Sequence, residues 1–211
     1  MTSVVAADAG TADAGTAVLV PVKAFGEAKR RLSSALDPAA RAALARRMAA
    51  NVVAAAAPFT VAVVCDDDEV AAWAHEHGAL VLHEPGRGLN GAVEAGVEQL
   101  AAAGFVRVVV AHADLPRART FRWVAAFDGI TIVPDRRNDG TNVLCLPTDA
   151  GFRFTYGSGS FARHHDEAVR IARAVRVAPD RLLGADVDLP SDLADLVRSE
   201  ATDGVSLATC R

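Results

Sequence analysis

Apolar residues in this chain fall into short, nearly unbroken runs, separated by longer stretches where they recur at helical spacing. Continuous apolar runs bounded by turn residues read as strands buried on both faces of a parallel sheet. Such runs occupy Ala17 to Lys23, Thr60 to Cys65, Ala79 to His83, Phe105 to Ala111, Gly129 to Val133 and Val175 to Val177. Helices are predicted between them: Pro38 to Ala57 behind an Asp37 cap, Asp66 to His77, Gly91 to Ala103, Arg117 to Phe127, Ser160 to Ala174, and a last one from Ser191. Val143 to Leu146 and Phe152 to Tyr156, joined by Pro147 to Gly151, read as a β-hairpin that interrupts the alternation. Strands alternating with helices predict an α/β, Rossmann-like, mostly parallel sheet with helices on both faces. One domain is expected over residues 17–199, between a disordered tail at 1–16 and a loose tail at 200–211.

Composition narrows the function. The 211 residues carry a formal charge of −4, which offers no basic field for nucleic acid. No apolar run reaches the roughly 20 residues that span a bilayer. No cation precedes Lys23, so a secretory leader is not expected and the reading is cytoplasmic. Cys65, Cys145 and Cys210 stand far apart; the first two lie in strand-like runs as buried thiols. Asp66, Asp67, Asp68 and Glu69 open a helix, where acids serve the first turn. A homo-oligomer is compatible with the sequence.

The candidate chemistry begins where the Val106 to Ala111 run stops, at His112, Asp114, Leu115 and Pro116. Ligands of open α/β sheets bind beyond the carboxyl ends of the strands. Asp114 is therefore placed for a metal or a phosphate, or else it caps a helix opened by Pro116. Asp186 and Asp188 are two apart, so in extended chain they leave one face together. At 4 Å and an effective dielectric of 20, two such charges repel by about 4 kcal/mol, which a cation or solvent relieves. Oxygen ligands without a His or Cys cluster suit Mg²⁺. Gly157, Ser158, Gly159 and Ser160, between a strand and a helix, form an anion cradle or an ordinary turn. Thr141 offers a hydroxyl to a phosphate or closes a turn. Lys23, Lys29 and Arg31 neutralise a polyphosphate or belong to a charged surface. Asn90 meets a base edge or caps a helix, and His112 packs. No nucleophile paired with a base is present, as suits phosphoryl or nucleotidyl transfer.

Six segments in order carry a resemblance: Pro21 to Lys23 with Ala28 to Leu32, Gly88 to Asn90, His112 to Pro116, Asp139 to Asn142, Tyr156 to His164, and Asp186 to Leu193. Together they resemble the 2-phospho-L-lactate or phosphoenolpyruvate guanylyltransferases of coenzyme F(420) biosynthesis, over most of residues 17–197. The resemblance implies a glycosyltransferase-A-like nucleotidyltransferase fold. It implies transfer of GMP from GTP to phosphoenolpyruvate or 2-phospho-L-lactate, with release of diphosphate. By position, Asp114 and Asp186 would hold Mg²⁺ with Asp188 beside them, and Thr141, Gly157 and Ser160 would bind the phosphoenolpyruvate. Lys23 and Lys29 are assigned to the GTP phosphates, with Lys29 also catalytic, and Asn90 to the guanine side. Leu189 and Pro190 stand where many members have Thr-Pro, a position that supplies no ligand. Alternatives are another cofactor or sugar nucleotidyltransferase of this fold, or a non-catalytic nucleotide-binding subunit.

Overall fold

A computed structural model describes residues 15–171 and 173–202. Seven strands, β1 (Thr16–Pro21), β2 (Thr60–Cys65), β3 (Leu80–His83), β4 (Arg107–Ala111), β5 (Ile130–Pro134), β6 (Thr141–Pro147) and β7 (Val175–Val177), form one sheet in the order β3-β2-β1-β4-β6-β5-β7. β1 pairs in parallel with β2 and with β4, while β6 runs antiparallel to both of its neighbours. The helices are α1 (Pro38–Ala55), α2 (Asp68–Glu76), α3 (Gly88–Ala102), α4 (Arg122–Ala125), α5 (Ser160–Arg170) and α6 (Pro190–Thr202). Most of the tail expected at 1–16 lies outside the described residues, although Thr16 already belongs to β1. At the other end α6 continues to Thr202, and the rest of the expected 200–211 tail lies outside them.

Strand period two divides the core. Val18, Val20, Val109 and Ala111 face α1, α2 and α4, whereas Ala17, Leu19, Val108 and Val110 face α3 and the extended segment before α5. Both layers are apolar because the sheet is covered on both sides, which is why β1 and β4 read as unbroken runs. A smaller cluster of Leu32, Leu44, Met48, Val187 and Leu196 fixes the start of α6 against α1. That packing carries Asp186 and Asp188 to the carboxyl edge of the sheet.

Helix ends follow local chemistry. Asp37 accepts from the Ala40 N–H ahead of Pro38, and Asp67 accepts from the Val70 N–H, so the acidic run is a cap as expected. α6 starts differently from expectation. It begins at Pro190 rather than Ser191, and the Asp192 carboxylate reaches back to the N–H groups of Asp188 and Leu189.

Two expected elements are corrected. The helix predicted for Arg117 to Phe127 shrinks to Arg122–Ala125. Asn51 donates to the carbonyls of Leu115 and Ala118, taking acceptors a longer helix would have used. The predicted hairpin is replaced: β6 pairs with β4 and β5, and Phe152 to Tyr156 is extended but joins no ladder. Phe152, Phe154 and Tyr156 still bury alternate side chains. The backbone N–H groups between and beside them go to side chains instead: Arg153 to Glu167, Thr155 to His164, and Tyr156 to Asn90. Helical side chains thus satisfy donors that a neighbouring strand would otherwise take.

Candidate active site

The chain order reverses between β1 and β4, and ligands of open α/β sheets bind at such a switch point. Lys23 follows β1 and Asp114 follows β4 at that edge. Asp114 caps no helix, because the chain from Ala113 to Thr120 is a series of turns. Asp114, Asp186 and Asp188 each bring one carboxylate oxygen to within 4.8 Å of the others. Acids separated by some seventy residues therefore converge, as the expectation of a shared cation requires.

Their surroundings differ. Asn142 holds Asp186 by donating to Oδ1 at 3.4 Å while also donating to the Leu183 carbonyl at 2.9 Å. Burial pushes the Asp186 carboxyl up to about 6, and the neighbouring charge of Asp114 adds to the effect. Burial acts on Asp114 in the same sense, but the Lys29 ammonium beside it, together with His112 and the hydrogen bonds the carboxylate accepts, holds its carboxyl below the usual range. Lys29 Nζ donates to Asp114 Oδ2 at 2.6 Å and to Asp188 Oδ1 at 2.9 Å. The Lys29 backbone is left-handed, with φ of 55°. That conformation costs a non-glycine residue about 1–2 kcal/mol and here turns the side chain inward between two short helical turns.

Asp114 Oδ1 is buried and, among the described residues, has no hydrogen-bond partner. A buried carboxylate oxygen without a donor is costly unless a ligand or cation meets it. The three carboxylates, all oxygen donors, suit a hard divalent cation.

Two cavities meet at these acids, and His112 and Asp114 line both. The first, of about 250 Å³, is largely apolar and is walled by Pro21, Lys23, Cys65, Gly88 and Leu89 among others. The second, of about 350 Å³, is polar and contains Thr141, Gly157, Ser158, Ser160, Asp186 and Asp188. Thr141, Gly157 and Ser160 are therefore brought together beside the acids. Lys23 lies at the first cavity, and Lys29 reaches the acids between the two.

Asn90 does not cap a helix. Its Oδ1 accepts from the Tyr156 N–H at 2.7 Å, it sits inside α3 rather than capping it, and it lines neither cavity. The glycine-serine turn is half committed as well. Gly159 N–H donates to Asp139 Oδ1, and Ser160 N–H donates to the Gly157 carbonyl. Gly157 has φ of +118°, open almost only to glycine. Asn142 and Asp192 escaped the sequence reading; only their place beside Thr141 and after Asp188 hinted at them.

A mostly parallel sheet with carboxylates at its switch point defines an α/β nucleotidyltransferase fold. A solved nucleotidyl transferase from Methanothermobacter thermautotrophicus aligns with a TM-score of 0.62, covering 89% of this chain and 98% of that one. At 16% identity this likeness concerns the fold alone. The family described as "Guanylyl transferase CofC like" matches residues 16–203, and the chain belongs to it. The phosphoenolpyruvate guanylyltransferase of Rubrobacter xylanophilus is 36% identical over 196 residues, covering 89% of this chain and 94% of the relative. The 2-phospho-L-lactate guanylyltransferase of Methanothermobacter thermautotrophicus is 33% identical over 191 residues, covering 86% and 84%.

Proposed function

We propose that the chain transfers GMP from GTP to the phosphate of phosphoenolpyruvate or 2-phospho-L-lactate, in coenzyme F(420) biosynthesis. The observation that carries this reading is the acid cluster shared by one apolar and one polar cavity. The apolar cavity suits a nucleoside, and the polar one, with Thr141, Gly157 and Ser160, suits the acceptor phosphate. An acceptor phosphate oxygen attacks the α-phosphorus of GTP. The bond to the β-phosphate oxygen breaks, and diphosphate leaves with the electron pair. The attacking oxygen is already ionised, so no general base is needed and catalysis rests on positioning and charge neutralisation. Lys23 and Lys29 neutralise phosphate charge, and Gly157, Ser160 and Thr141 orient the acceptor.

Asp114 and Asp186, with Asp188 beside them, would hold Mg²⁺, which when bound neutralises charge on the phosphates. The unpartnered Asp114 Oδ1 and the all-oxygen donor set support that choice. A cytoplasmic location goes with substrates of this kind.

The test is an acceptor screen with GTP and Mg²⁺, following diphosphate release for phosphoenolpyruvate, 2-phospho-L-lactate and 3-phosphoglycerate. Release with one of the first two, and none without a divalent cation, is the expected result. GTP binding without turnover for any acceptor would favour a nucleotide-binding subunit and overturn the proposal.

A further inference from the structure

The polar cavity has a second layer. His164 is completely buried in α5 and lines no wall of either cavity. The Thr155 N–H donates to its Nε2 at 3.0 Å, so that nitrogen carries a lone pair. The ring proton therefore sits on Nδ1, 3.0 Å from Thr141 Oγ1, and donates to it. With this lone pair of Thr141 engaged from behind, its hydroxyl proton turns away from the ring. The Thr141 N–H in turn donates to Ser160 Oγ at 3.1 Å, leaving the Ser160 proton free as well. Thr141 and Ser160 both face the polar cavity. Burial, helped by His112 and then Arg163, holds His164 down to about 4, so the neutral ring that this relay needs is the one present at neutral pH.

We propose that His164 is a positioning residue that fixes the Thr141 hydroxyl as a donor to the acceptor phosphate. The chain runs from the Thr155 backbone through the imidazole to the Thr141 hydroxyl, and the Ser160 hydroxyl is set as a second donor alongside. Two hydroxyls that each spend one lone pair inwardly keep their protons for the cavity, which favours a strong, charged acceptor such as a phosphate. The extended Phe152 to Tyr156 segment thereby gains a purpose: its backbone sets the tautomer. The identification of the ligand as the acceptor phosphate rests on the proposed function above.

The experiment compares His164→Leu with His164→Asn. Both lose the bond from the Thr155 N–H, but only the asparagine amide, which overlies Nδ1, still donates to Thr141. Phosphoenolpyruvate and inorganic phosphate are titrated calorimetrically into each protein, and the KM for GTP and for phosphoenolpyruvate is measured. His164→Leu should weaken binding of both anions and raise the phosphoenolpyruvate KM by about tenfold, the effect of one charge-assisted hydrogen bond, with the GTP KM unchanged. His164→Asn should stay within about threefold of wild type. Equal behaviour of the two variants, a parallel rise in both KM values, or failure of the wild type to bind either anion would overturn the inference. A wild type that binds phosphate in this His164-dependent way yet forms no guanylylated product would overturn the proposed function alone.

Discussion

Lys29 Nζ lies 2.6 Å from Asp114 Oδ2, one of the three carboxylates that a divalent cation would share. The ammonium also bonds Asp188 at 2.9 Å, so it bridges two of the three acids, and Arg31 adds a second, more exposed pairing to Asp188. A divalent ion held by these acids would compete with Lys29 for Asp114 and Asp188.

Lys29→Met keeps the aliphatic stem and removes the competing charge. Mn²⁺ affinity, read by electron paramagnetic resonance without nucleotide, should tighten by about tenfold, a 1.4 kcal/mol effect. Turnover should fall by at least about a hundredfold, because a phosphate-facing charge is lost. Weaker Mn²⁺ binding in the variant would mean that Lys29 organises the acids for the metal and does not compete with it.

Asp114→Asn keeps the shape of the side chain and removes one charge from the proposed cation site. Turnover should drop by about a thousandfold, in line with the loss of a principal electrostatic element of a phosphoryl-type site. The site lies at a strand end, and Lys29 keeps Asp188 as a partner. The melting temperature should therefore move by only about 3 °C, equivalent to about 1 kcal/mol in a chain of this size. Wild-type activity in this variant would remove Asp114 from the chemistry.

Gly96 of α3 packs on Leu19 of β1. A Cβ at Gly96 would stand 2.8 Å from Leu19 Cδ2, and Leu19 is fully buried. Gly96→Ala gains about 1 kcal/mol of helix propensity but overpacks the interface by about 1–3 kcal/mol. Net destabilisation of about 1 kcal/mol is expected in urea melts, with relief on combination with Leu19→Val. A more stable single variant would show that the interface yields freely.

β1, β2 and β4 were legible because each is an apolar run within a few residues, and the caps at Asp37 and Asp67 because each bonds three positions ahead. The convergence of Asp114 with Asp186 was visible only through the order of motifs, since no local pattern encodes a contact over that separation. Phe152 to Tyr156 misled because its period-two burial is genuine, yet its backbone partners, Asn90, His164 and Glu167, come from helices. The Asn90 bond to Tyr156 was hidden for the same reason: its partner is 66 residues away. His164 carries no local sequence signal because it meets a hydroxyl and a backbone amide rather than another ionisable group.

Glu167 ties that irregular segment to α5, and its titration tests how much the tie contributes. Its carboxylate accepts from Arg170 Nε and a terminal guanidinium nitrogen, both at 2.7 Å, and from the Arg153 N–H at 3.0 Å. These bonds, those from Arg170 foremost, hold the carboxyl down to about 2 against an ordinary 4.5. A carboxyl depressed in the folded state stabilises fully above its unfolded value. That stability is lost as pH falls from about 4.5 towards about 2, where the folded protein also takes up the proton. Both arginines are largely exposed, which limits the contribution to about 1 kcal/mol. Glu167→Gln should therefore melt about 3 °C below wild type at neutral pH, with the gap closing between about pH 4.5 and 2. A gap that stayed constant across that range would assign the loss to packing rather than to the charge.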